Sequence, residues 1–154
     1  MMTLTPGQPA PDFTLVADDG RPWTLSAARG RRVLLVFYPG DGTPVCTAQL
    51  CDYRDGVEAF AGLGVEVVGI STDSSESHRR FKAKHGLPFV LLTDPGGGVA
   101  RRYGAWGLLG MKRAVFLVEA DGRIGYARVE SVSLFRRTRE ELLEMLDGSG
   151  PANG

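Results

Sequence analysis

Apolar residues in this chain gather into short runs, and their spacing separates strands from helices. Val33-Leu34-Leu35-Val36-Phe37-Tyr38 has no polar break, as expected of a strand buried on both faces. Val65-Glu66-Val67-Val68-Gly69-Ile70 predicts a second core strand and 89–92 a shorter third. Two hairpins are predicted where strand-like runs flank turn residues. One pairs 13–16 with 22–25 around Asp18-Asp19-Gly20-Arg21, and the other pairs 114–118 with 124–129 around Ala120-Asp121-Gly122-Arg123. Helical spacing is expected over 44–63, over a polar stretch 74–86, briefly over 99–103, and in a last amphipathic helix capped by Thr138 and running through Leu142, Leu143 and Leu146.

Early strand–helix alternation followed by a hairpin and a closing helix predicts an α/β fold, a mixed central sheet flanked by helices. At 154 residues without repeats or a linker, the expectation is a single domain over 1–147. The Gly- and Pro-containing stretch 148–154 reads as a disordered tail.

Charge narrows the function. With 18 basic and 18 acidic residues the formal net charge is zero. The short clusters Arg29-Gly30-Arg31-Arg32 and Arg136-Arg137-Thr138-Arg139 read as solvated loop faces, so a nucleic-acid partner is not expected. The N-terminus lacks a basic and then apolar leader, and no apolar stretch approaches the ~20 residues of a membrane helix. A cytoplasmic protein without a membrane partner is the expectation. His78 and His85 share one helical segment far from the cysteines and are expected to face solvent, and a Cys-x4-Cys pair alone supplies too few ligands for zinc, so no metal is predicted.

The two cysteines carry the chemistry. In such a chain they are better read as catalytic than as a structural disulfide framework. After strand 33–38 comes Pro39-Gly40-Asp41-Gly42-Thr43-Pro44-Val45-Cys46, where Thr43 is a good N-cap and Pro44 suits the first helical position. Cys46 then lies in the first turn, facing backbone N–H groups and the positive end of the helix dipole. Thiolate, not thiol, is the nucleophile, and such surroundings favour it. The competing reading is a buried, inert cysteine, the commonest fate of a free thiol.

Pro39-x-x-x-Thr43-x-x-Cys46 resembles the active-site signature of the peroxiredoxins, and Thr43-Pro44-Val45-Cys46-Thr47-Ala48-Gln49-Leu50-Cys51 resembles their bacterioferritin-comigratory, or peroxiredoxin Q, branch. The likeness continues in order through Gly7-Gln8-Pro9-Ala10-Pro11-Asp12-Phe13, Leu91-Leu92-Thr93-Asp94, Tyr103-Gly104-Ala105-Trp106-Gly107 and Arg113-Ala114-Val115-Phe116-Leu117-Val118. It implies a thioredoxin-like fold with an N-terminal β-hairpin extension and a thiol peroxidase reducing hydrogen peroxide and organic hydroperoxides without a cofactor. By the same resemblance Cys46 is the peroxidatic nucleophile, Thr43 offers its hydroxyl to thiolate and peroxide, Pro39 shields the sulfur, and Arg113 favours the thiolate and binds a peroxide oxygen. A Thr43 hydroxyl that faces peroxide cannot also fully cap the helix. Gln49, on the same helix, is a candidate to orient Arg113, with a solvated helix face as the alternative.

Cys51 is implied as the resolving cysteine, forming a Cys46–Cys51 disulfide that a thioredoxin- or glutaredoxin-type reductant recycles; the expected assembly is a monomer or weak dimer. On an intact helix these two Cα atoms stand about 8.6 Å apart, beyond the roughly 7 Å a disulfide spans, so the bond requires unwinding. A disulfide exchanger or redox sensor of the same fold is the alternative function. Cys-x4-Cys in place of Cys-x-x-Cys, and Arg113 where a thioredoxin carries its cis-proline, weigh against it. The apolar loop Gly107-Leu108-Leu109-Gly110-Met111-Lys112 is shorter than in peroxiredoxin Q relatives. It widens the pocket, favours alkyl hydroperoxides or forms a subunit contact, and the sequence leaves these open.

Overall fold

The computed structural model describes residues 4–130 and 138–148. Strands β1 (Thr14–Ala17) and β2 (Pro22–Thr24) form the N-terminal hairpin, followed by β3 (Arg32–Phe37), α1 (Pro44–Asp55), α2 (Val57–Gly62), β4 (Val65–Ser71) and α3 (Ser75–His85). Then come β5 (Val90–Thr93), α4 (Gly98–Arg102), β6 (Trp106–Gly107), β7 (Gly110–Met111), β8 (Ala114–Val118), β9 (Ile124–Val129) and α5 (Arg139–Gly148). Residues 149–154, most of the predicted tail, lie outside the described residues, as do Arg136 and Arg137.

One seven-stranded sheet runs β2-β1-β5-β4-β3-β8-β9. β3, β4 and β5 are parallel; β8 joins β3 antiparallel with Phe37 opposite Ala114, and β9 closes the edge. Central placement explains the unbroken apolar run of β3, because it is covered on both faces. Val33, Leu35 and Phe37 face a core completed by Phe13, Tyr103 and Phe116, while Leu34 and Val36 face Cys46, Leu50, Tyr53, Phe60, Leu142 and Leu146 from α1, α2 and α5. Truncating a wholly buried residue such as Leu34 to alanine costs about 2–5 kcal/mol.

The sheet and both hairpins form where expected, but the helix predicted over 44–63 is two helices. Gly56 (φ −104°, ψ 8°) breaks it, and a Cβ there would collide with the Arg139 side chain of α5. Glycine disfavours helix, and its bare Cα admits the crossing side chain. Arg139 is therefore no solvated arginine: its N–H donates to Asp52 Oδ2 at 2.7 Å and its Nε lies 3.6 Å from Asp52 Oδ1, tying α5 to α1. Arg32 likewise lies half-buried and donates from Nη2 to the Leu63 carbonyl at 2.8 Å. Thr138 and Glu141 exchange hydrogen bonds at 3.2 Å each way, a capping box at the start of α5.

Candidate active site

β3 ends at Phe37, and the chain turns through Pro39 and Gly42 (φ +79°) into α1, where Cys46 is the third helical residue. The pairing of Phe37 with Ala114 brings the start of β8 to the same place. Arg113, next before Ala114, thereby meets a residue distant in sequence: its Nη2 donates to Cys46 Sγ at 3.2 Å. Its Nη1 donates to Gln49 Oε1 at 2.7 Å, and Gln49 Nε2 donates to the Tyr53 hydroxyl at 3.0 Å. Cys46, Gln49 and Tyr53 share one face of α1 by their i, i+3, i+7 spacing. All three are fully buried and Arg113 is 2% exposed. A guanidinium stripped of water costs several kcal/mol unless polar partners replace it; Gln49 is one, and a sulfur accepts from the other arm.

Thr43 occupies the N-cap position with extended backbone (φ −73°, ψ 147°), but its side chain accepts no capping hydrogen bond. Its Oγ1 donates instead to the Gly40 carbonyl at 3.2 Å, which corrects the expectation of a side-chain cap and leaves both hydroxyl lone pairs uncommitted to the helix. Pro39 lines a cleft of about 540 Å³ with residues 107–112 and Glu130. Its outer wall is the tip of the β6–β7 hairpin, where Leu108 and Leu109 are fully exposed.

Cys51 sits on α1 as well, but five residues on, so it faces about 140° away from Cys46 around the helix axis. It is half-buried and lines a separate groove of about 480 Å³ with Gly42, Pro44, Thr47, Phe81, Lys84 and His85. The two thiols thus share an intact helix without sharing a cavity.

A second polar cluster went unforeseen. His78, expected in solvent, is wholly buried, and His85 is half-buried with its ring edge-on to Phe81 at 5.0 Å. His78 bridges Asp41 Oδ2, 2.8 Å from Nδ1, and the Leu92 carbonyl, 3.1 Å from Nε2. Asp41 also accepts from the Tyr38 hydroxyl at 2.6 Å and Ser77 Oγ at 2.9 Å. Burial acts to raise the Asp41 pKa, but the hydrogen bonds from His78, Tyr38 and Ser77 outweigh it and hold the carboxyl below its ordinary value. Tyr38 is pushed well above its usual value, first by burial and then by the Asp41 charge. One signal was available in the sequence: His78 stands three residues before Phe81, on the face α3 turns inward. Among the described residues no three His, Cys, Asp or Glu side chains converge as a metal site requires.

The AhpC/TSA family profile matches residues 6–127. The chain belongs to the AhpC/TSA family. It is 42% identical to peroxiredoxin Bcp of Bacillus subtilis (strain 168), over 80% of this chain and 83% of that one. A chloroplastic peroxiredoxin Q of Sedum lineare is 50% identical over 66% of this chain and 54% of its own length. Among solved structures, the peroxidoxin BcpB of Mycobacterium tuberculosis superposes with a TM-score of 0.85 at 31% identity, covering 94% of this chain and 97% of that one. The AhpC/TSA fold seen here is thioredoxin-like, and the activity of this family member is that of a thiol peroxidase, an oxidoreductase.

Proposed function

We propose that Cys46 is the peroxidatic nucleophile and that the chain reduces hydrogen peroxide and organic hydroperoxides through a sulfenic acid. The observation that carries this reading is the Arg113 guanidinium, buried and held by Gln49, with an N–H on the Cys46 sulfur. A fixed cation favours thiolate and stabilises the negative oxygen that departs. The thiolate attacks one peroxide oxygen and the O–O bond breaks. The sulfur keeps the attacked oxygen as S–OH, and the alkoxide or hydroxide leaves and takes a proton from water to become alcohol or water. Thr43, its own proton directed at the Gly40 carbonyl, accepts the peroxide hydroxyl in a hydrogen bond and orients it, while Pro39 shields the sulfur.

Cys51 then attacks the sulfenic sulfur, forming the Cys46–Cys51 disulfide and releasing water. A thioredoxin- or glutaredoxin-type dithiol restores both thiols by exchange, in a cytoplasmic setting that keeps thiols reduced. The apolar cleft beside Pro39, walled by Leu108 and Leu109, supports organic as well as hydrogen peroxide as substrate. Cys46→Ser should abolish peroxide consumption; turnover above a tenth of wild type would sink this reading. Cys51→Ser should keep the first turnover and stall recycling, leaving sulfenic acid or its over-oxidised products on Cys46 by mass spectrometry.

A further inference from the structure

The carboxyl ends of the three parallel strands converge on one buried polar cluster that touches no reacting atom. Tyr38 follows β3; Ser71 ends β4, with Asp73 just beyond it; Leu92 and Thr93 end β5. From α3, Ser77 and His78 reach down onto the same point. All of it bears on Asp41, in the middle of the Pro39–Thr43 loop. The Asp41 carboxylate takes three hydrogen bonds, and its backbone N–H donates to Asp73 Oδ2 at 2.8 Å. Asp73 is fixed in turn by the Ser71 hydroxyl at 2.7 Å, and its carbonyl accepts from Thr93 Oγ1 at 2.8 Å. The His78 and Asp41 side chains are 0% and 5% exposed. Both His78 ring nitrogens stand within hydrogen-bond distance of oxygens, Nδ1 of Asp41 Oδ2 and Nε2 of the Leu92 carbonyl, so the ring is pinned at both ends.

This loop is what α1 hangs from. Thr43 Oγ1 donates to Gly40, the Thr43 carbonyl accepts the Thr47 N–H at 2.8 Å, and the turn at Gly42 is the one residue between the clamped Asp41 and the N-cap. Cys46 and Cys51 cannot bond while this helix is intact, so the reaction alternates between a wound state that attacks peroxide and an unwound state that resolves. Resting on the thiol-peroxidase reading above, we infer that His78 and Asp41 are positioning residues that hold the first turn of α1 wound and thereby set the ratio of peroxide attack to disulfide formation. Loosening the clamp frees the loop along with the turn and favours the unwound state on entropic grounds. Charge-assisted hydrogen bonds are strong enough for the loss of one to shift such an equilibrium about ten-fold.

The arithmetic splits the two steps. Where the wound state dominates, a ten-fold shift lowers its population by less than about two-fold but raises the minor unwound population about five- to ten-fold. In stopped-flow single turnover of the reduced full-length chain, His78→Asn and Asp41→Asn should therefore slow attack less than about two-fold. Disulfide formation should accelerate about five- to ten-fold. The peroxide concentration needed to over-oxidise Cys46 should rise by the same factor as resolution. Tyr38→Phe and Ser77→Ala, which each delete one donor, should move both rates the same way by less and keep the inference testable if the polar variants fold poorly.

General destabilisation would not accelerate a step, so resolution that is unchanged or slower in variants of native circular dichroism overturns the clamp. Amide exchange over residues 40–50 of the reduced protein gives a readout independent of turnover. Faster exchange in His78→Asn supports the clamp, and equal protection overturns it even if the wild type were to leave peroxide untouched. That last result would overturn the peroxidase reading alone.

Discussion

Arg113 holds two partners at once, Cys46 and Gln49, and its burial makes it sensitive to substitution. Its substitution by alanine removes the N–H on the Cys46 sulfur and, on the proposed mechanism, the charge beside the departing oxygen. Thiolate absorbance at neutral pH and the rate of peroxide attack should fall together, the rate by about 10²-fold or more, as for the loss of one oxyanion donor. An unchanged thiolate signal and rate would place Arg113 outside the chemistry. Gln49→Leu tests the support behind it: an arm of the guanidinium loses its acceptor while Cys46 is left intact, so a smaller loss in the same two quantities is expected. Asp41 sets a pH signature of its own. Its folded pKa is depressed, so the stability it contributes is present in full above about pH 4 and disappears as pH falls through the folded value. Urea midpoints between pH 2 and 5 should show a shallower acid loss in Asp41→Asn than in wild type; Asp12, Asp18 and Asp55, also depressed, contribute to the slope that remains. Equal slopes would mean that the carboxylate does not hold the loop.

At the scale of elements, α1 is the part expected to change. Oxidation to the Cys46–Cys51 disulfide should speed amide exchange across 44–55 and leave β3 and β4 as protected as before, since residues five apart on a helix cannot bond without unwinding it. Equal protection in both redox states, with the bond confirmed by mass, would mean that Cys51 pairs elsewhere. Gly56 gives this change a natural boundary, because α2 begins anew beyond it and Arg139 lies across the break. That boundary was not legible in the sequence, where Val57, Phe60 and Leu63 continue the helical pattern past the glycine and nothing local reveals the crossing arginine. β3 and β8 were legible because burial on both faces leaves unbroken apolar runs, and the hairpins because turn residues separate their strands. The β6–β7 hairpin was not, since two-residue strands leave no periodicity to read. His78 was misplaced for a related reason: α3 is polar nearly all round, and only its Phe81 neighbour marks an inward face.

Across the whole molecule, the meeting of Cys46 with Arg113 is a consequence of sheet register rather than of any local sequence. The motif around Cys46 reads along the chain, whereas the distance to Arg113 appears only once β8 is paired with β3. Adding a single alanine between Arg113 and Ala114 should displace the guanidinium by about 3.3 Å and turn it to the other face. The attack rate should then fall as far as in Arg113→Ala. A glycine added between Leu108 and Leu109, where both side chains stand in solvent, should leave the hydrogen peroxide rate within about two-fold, as expected of an exposed loop tip. Similar losses from both insertions would show that the hairpin, not the register, aims the arginine. The pairing of Phe37 with Ala114 therefore separates two kinds of inheritance. On the proposed reading, lengthening or trimming of 107–112 can alter which peroxide tail the mouth admits, generation after generation, while the Cys46 sulfur and the Arg113 charge stay in place.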